Sequence, residues 1–139
     1  AGLSMSVSSY ADNSESTPAR RALPRLLVVE PDRLTQWSIA KFLARWFSIR
    51  RTGSVDGARA LLREQPVDDL LLSGNLPAGA AEALDAFARQ QNPAVRTILM
   101  VTGEGEPPRL PAADLIEKPF ELSALARLLG VPAAELAQA

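Results

Sequence analysis

Glu30, Ser73, Thr102 and Lys118 are the residues whose types, taken together, offer chemistry. An acid, two hydroxyls and an amine can move protons, hold an oxyanion or grip a cation. What the chain lacks sets tighter bounds. Its 139 residues include no histidine and no cysteine. A serine hydroxyl is a weak nucleophile without an adjacent base, so Ser–His and Cys–His catalysis are excluded. Disulfides, a phosphohistidine and metals held by His or Cys are excluded with them. The "SGN" around Ser73 also lacks the G-x-S-x-G elbow of serine hydrolases. The chain is therefore expected not to be an enzyme, and Ser73 needs another explanation.

Those four residues matter because of where the elements place them. "RLLVVE" (25–30) is a short apolar run with two valines, the pattern of a strand buried on both faces. "PDRLTQWSIAKFLARWF" follows, with Asp32 as a helix N-cap and Ile39, Phe42, Leu43 and Trp46 on one helical stripe. "SIRRTG" (48–53) reads as a weak strand. "SVDGARALLREQ" (54–65) is a helix capped by Ser54 with Ala58, Leu61 and Leu62 on one face. "DDLLLS" (68–73) is a second buried strand, its Asp68 and Asp69 expected to solvate the preceding loop. "GAAEALDAFARQQ" (79–91) is helical, with Ala83, Leu84 and Phe87 expected inward. "RTILMVTG" (96–103) and "DLIEK" (114–118) are strands, and "ELSALARLLG" (121–130) is a helix closed by Gly130.

Strands alternating with helices predict an α/β fold with a parallel sheet covered on both faces. Sites in such sheets lie at the carboxyl ends of the strands. Glu30, Ser73, Thr102 and Lys118 stand at four such ends, so four polar residues should converge on one edge. The interval before Lys118 contains "GEGEPPRLP", whose glycines and prolines cannot sustain a helix. Segment 104–112 is therefore expected to be non-helical and mobile, with apolar surface beside it uncovered.

The length suits one domain. Residues 1–23, rich in Ser and small polar types, read as a disordered leader or linker. The folded unit is expected over 24–130, and 131–139 as a C-terminal tail or linker. The net charge is −1, with 15 basic and 16 acidic residues, which leaves no electrostatic footprint for nucleic acid or a membrane surface. Arg20, Arg21 and Arg25, and again Arg45, Arg50 and Arg51, read as solvated faces. No apolar run reaches the roughly 18 residues of a membrane span, and the start lacks the order of a signal peptide.

Taken in order, "LLVVEPDR", "DDLLLSGNLP", "ILMVTG" and "LIEKPF" resemble the receiver (CheY-like) domain of bacterial two-component response regulators over about residues 24–130. The resemblance implies a flavodoxin-like (βα)5 three-layer sandwich with a five-strand parallel sheet and a cytoplasmic role in phosphorelay signalling. In that family an aspartate after the third strand accepts a phosphoryl group from a kinase phosphohistidine. Paired acids after the first strand help hold Mg²⁺, and a Thr or Ser and a Lys contact the phosphoryl group. Thr102 and Lys118 match the hydroxyl and lysine positions. Glu30 matches the first acid. Pro31 falls on the second acid and Ser73 on the phosphoacceptor. The family's fourth helix, part of its common output and dimer surface, is missing or reduced to a loop here. The family also implies a cis Lys118–Pro119 bond.

The resemblance thus implies a degenerate, or pseudo-, receiver: no aspartyl phosphorylation, Mg²⁺ binding weak or absent and no cofactor. Function would run through protein–protein interaction, either with a partner or by self-association. The alternative is a switch with a non-standard input at the Ser73/Thr102/Lys118 edge, such as anion or small-ligand binding or modification of Ser73. Ser73 can be a phosphorylated serine, an anion-binding hydroxyl or, the leading reading, a residue that fills space. Lys118 lacks its aspartate and is expected to pair with Glu30, a pair that can be purely structural. Asp32 can donate a carboxylate but reads first as a helix cap. Trp37 lies nearly opposite the 39/42/43/46 stripe and faces solvent, either incidentally or as an interface anchor.

Overall fold

A computed structural model describes residues 22–138, so all but the last two residues of the expected leader lie outside the described residues. The elements run β1 (Arg25–Val29), α1 (Arg33–Leu43), β2 (Ser48–Thr52), α2 (Val55–Glu64), β3 (Asp69–Ser73), α3 (Ala80–Gln91), β4 (Arg96–Val101), β5 (Asp114–Glu117), α4 (Leu122–Leu128) and α5 (Ala133–Leu136). The sheet order is β2-β1-β3-β4-β5 and every pairing is parallel. This is the flavodoxin-like architecture, and no helix of the described residues is long and apolar enough to cross a membrane.

Strand alternation divides the core in two. Leu26, Val28, Leu71, Ile98 and Met100 face α1 and α4, packing with Ile39, Leu43 and Leu125. Leu27, Val29, Leu70, Leu72 and Leu99 face α2 and α3, packing with Ala58, Leu62, Leu84 and Ala88. Both faces of β1, β3 and β4 are covered, which is why these strands read as continuous apolar runs. In β2, at the sheet edge, no residue is fully buried, and its sequence is correspondingly weak.

Local chemistry sets the helix ends. Asp32 accepts from the Thr35 amide and Ser54 from the Gly57 amide, each satisfying a first-turn donor. At the end of α4, Gly130 has φ of 91°. Its amide donates to Arg127 O and that of Val131 to Ala126 O, the paired closure that a left-handed residue permits.

Three expectations need correction. Ala83 is exposed; α3 turns Ala80, Ala81, Leu84 and Ala88 inward instead, a frame set by small residues that let the helix sit close to the sheet. Residues 131–138 are not merely a tail, because Val131 is buried, α5 forms, and Trp46 Nε1 donates to Glu135 Oε1 at 2.9 Å. Asp69 does not solvate a loop: it is only 4% exposed, on the core-facing side of β3. Asp68 accepts from the Arg25 amide at 2.8 Å and joins β1 to the start of β3.

Between β4 and β5 there is no helix, as the Gly and Pro content requires. The segment still covers part of what a helix would cover. Leu110, like Val101, packs against the apolar cluster on the α2/α3 side, and the Arg109 amide donates to Glu82 Oε2 on α3 at 3.3 Å. Leu115 on β5 stays 56% exposed.

Candidate functional site

Position in the fold brings the expected residues to the carboxyl edge of the sheet. Glu30 follows β1 and is held by its own amide donating to Thr52 O at 3.0 Å. Ser73 ends β3, where Gly74 allows a close pass: its amide donates to Met100 O at 2.6 Å, and a Cβ there would sit 2.8 Å from that oxygen. Lys118 follows β5, its amide donating to Val101 O, and the Lys118–Pro119 peptide is cis.

Three of the four residues meet. Lys118 Nζ donates to Glu30 Oε1 at 2.7 Å and lies 3.5 Å from Ser73 Oγ. Ser73 is fully buried, and its Oγ also accepts the Asn75 amide at 3.1 Å. The Glu30 side chain is 2% exposed and that of Lys118 19%. Thr102 does not join them among the described residues. Its hydroxyl accepts from the Glu104 amide in its own loop at 3.4 Å.

A second ring of contacts fixes Glu30. Its Oε2 accepts the Asp32 amide at 2.9 Å, so both carboxylate oxygens are engaged. Gln36, buried on α1, donates from Nε2 to Glu30 O at 3.0 Å and accepts from Arg51 at 2.8 Å. Gln36 thereby ties α1 to β1 and β2. Sequence reading missed it, and the one available signal was a polar residue three positions before Ile39, on the core-facing side. Asp32 is held below the usual carboxylate range, first by the Thr35 hydroxyl, then by the Thr35 amide, with Lys118 adding attraction. It caps α1 and is exposed. Trp37 is 47% exposed on the opposite face, with Lys41 Nζ 5.0 Å from its ring centre.

These residues do not fit a bound Mg²⁺. Such an ion takes carboxylate oxygens in near-octahedral geometry. Glu30 has committed both of its oxygens, Pro31 offers no side-chain ligand, and Ser73 offers a hydroxyl already hydrogen-bonded. No group of three or more metal-ligating acids, His or Cys gathers among the described residues.

No protein-family model matches the sequence, and no curated protein matches it significantly. Solved structures do match. A CheY-like receiver domain from Methylobacillus flagellatus superposes with a TM-score of 0.66 at 18% identity, covering 78% of this chain and 97% of that one. One from Methanospirillum hungatei gives 0.66 at 20% identity, covering 84% and 96%. The receiver domain of a Pseudomonas aeruginosa sensor histidine kinase, with a magnesium ion coordinated in its active-site cleft, gives 0.64 at 22% identity, covering 78% and 95%. At these identities the likeness establishes the receiver fold, and this chain spans nearly the whole of each matched domain.

Proposed function

We propose that this chain is a degenerate receiver that acts in signalling through protein–protein contact, independently of phosphoryl transfer. The observation that carries the reading is the Glu30–Lys118 ion pair beside Ser73. Where a receiver would hold a phosphoacceptor carboxylate next to this lysine, the chain has a buried hydroxyl, and the lysine is already neutralised by Glu30. A site whose cation is internally satisfied has no vacant charge for a phosphoryl group to fill. The magnesium-bound Pseudomonas domain is the informative contrast, since Glu30, the one acid at the matched carboxylate positions here, is spent on a lysine and a backbone amide.

Incubation with acetyl phosphate and Mg²⁺ is the direct test. Intact mass is expected to stay unchanged. A hydroxylamine-sensitive gain of about 80 Da, one phosphoryl group, would mark an acyl phosphate and overturn the proposal.

A domain that does not switch must present its contact surface ready-made. Trp37 and Leu34, three residues apart on α1, stand 47% and 70% exposed and form an apolar strip on the solvent side of the helix. An aromatic anchor at the centre of an interface contributes about 2 kcal/mol or more. Trp37→Ala is therefore expected to weaken association about thirtyfold with little change in stability. Sedimentation equilibrium of both proteins, with denaturation curves alongside, reads this directly. Equal association would remove Trp37 from the interface and move the contact to the exposed Leu115 beside the 104–112 segment.

A further inference from the structure

The end of the sheet opposite the candidate site holds a groove of about 590 Å³. Trp46 and Phe47, beyond α1, form one wall, and Leu129 to Pro132 form the other. Asp68, Asp69 and Arg96 line it between them. Asp69 shares its strand face with Leu71 and Ser73, so its carboxylate points to the α1/α4 side, among Phe47, Leu129 and Val131. It is 4% exposed. Its one charged partner of opposite sign among the described residues is Arg96, whose Nε stands 3.4 Å from Oδ1, and no hydrogen bond from a described residue reaches it. The Arg96 guanidinium is shared, donating from Nη1 to Leu128 O at 3.2 Å.

A carboxylate buried among apolar side chains without hydrogen bonds is costly. Asp69 stands opposite Arg96 in the β3–β4 register, so its charge is offset by one guanidinium that Leu128 O also engages. Burial pushes the Asp69 carboxyl up to about 6, with Arg96 opposing and Asp68 adding to the rise, so the ionised form is under-compensated where it stands. Two acids against one arginine leave the lining with a net negative charge, and the aromatic rings supply an apolar wall suited to the stem of a basic group.

We propose that this groove is a binding site for a guanidinium or primary ammonium group, with Asp69 as counter-ion and Trp46 and Phe47 as the wall for its apolar stem. The cation is supplied by another molecule, as a basic side chain or a small amine.

The test uses the full chain and agmatine as probe, with N-ethylurea as an uncharged control, followed through the amide resonances of Gly130 and Val131. Saturable shifts are expected with agmatine, in the millimolar range for so small a ligand, about 1 mM. They should be absent with N-ethylurea and lost in Asp69→Asn. Absence of Asp69-dependent, saturable binding overturns the proposal.

Discussion

Lys118→Met is expected to lower the stability of the domain by about 3–5 kcal/mol. Methionine matches the length of the lysine stem, so packing changes little; what is lost is the charge. Glu30 would remain nearly inaccessible to water with one oxygen on the Asp32 amide and the other without a partner. Removing one member of a buried ion pair leaves an uncompensated charge, and penalties of that size follow. The compensated double variant, Glu30→Gln with Lys118→Met, removes both charges and keeps an acceptor for the Asp32 amide. It should recover most of the loss. Urea denaturation of the wild type and the three variants, with Glu30→Gln as the third, closes a double-mutant cycle. A loss below about 1 kcal/mol for Lys118→Met would mean that Glu30 is hydrated in solution. The site would then be open, and the argument that Lys118 is internally satisfied would fail.

Asp69→Asn is expected to change how stability depends on pH. The folded carboxyl keeps its proton to about pH 6, against an ordinary value of 3.8. Between these values the native state binds a proton that the unfolded chain has released. Wild-type stability therefore falls as pH rises through this window, and the loss is complete once pH exceeds about 6. The span corresponds to about 3 kcal/mol. Asparagine does not titrate, so the variant escapes this loss. Its stability relative to wild type should grow by about 2 kcal/mol between pH 4 and pH 7, the remainder of the span lying below pH 4, while contributions from other groups cancel in the difference. Among the described residues the charged neighbours are Arg96 and Asp68, and both remain in the variant. A constant difference across this range would show that the Asp69 carboxylate is hydrated or held by another cation. Combining Asp69→Asn with the agmatine titration separates those two outcomes.

Much of this molecule follows from short stretches of sequence, because the forces that set them are local. The apolar runs "LLVV", "LLLS" and "ILMV" are strands since each is flanked on both faces, and the Asp32 and Ser54 caps and the Gly130 closure depend on residues within one turn of themselves. Alternation of strand and helix then makes the sheet parallel and carries Glu30, Ser73 and Lys118 to one edge. The missing helix was legible because glycine and proline act on their own backbone. What lies beyond the sequence is every outcome that depends on distant partners or on exact depth. Glu30 and Lys118, 88 residues apart, form the expected pair, but only the folded sheet decides how deeply it is buried and that the second Glu30 oxygen is spent on the Asp32 amide. Thr102 stands at the expected strand end, yet its hydroxyl follows the local turn of its own loop, a matter of backbone direction that residue type does not encode. Asp69 shows the same limit from the other side. An acid at a strand start reads as solvated, but the packing of Phe47, Leu129 and Val131 over that end of the sheet encloses it. Depth is a property of how three elements close together, so burial of this carboxylate, and the binding site proposed around it, emerge only in the tertiary structure.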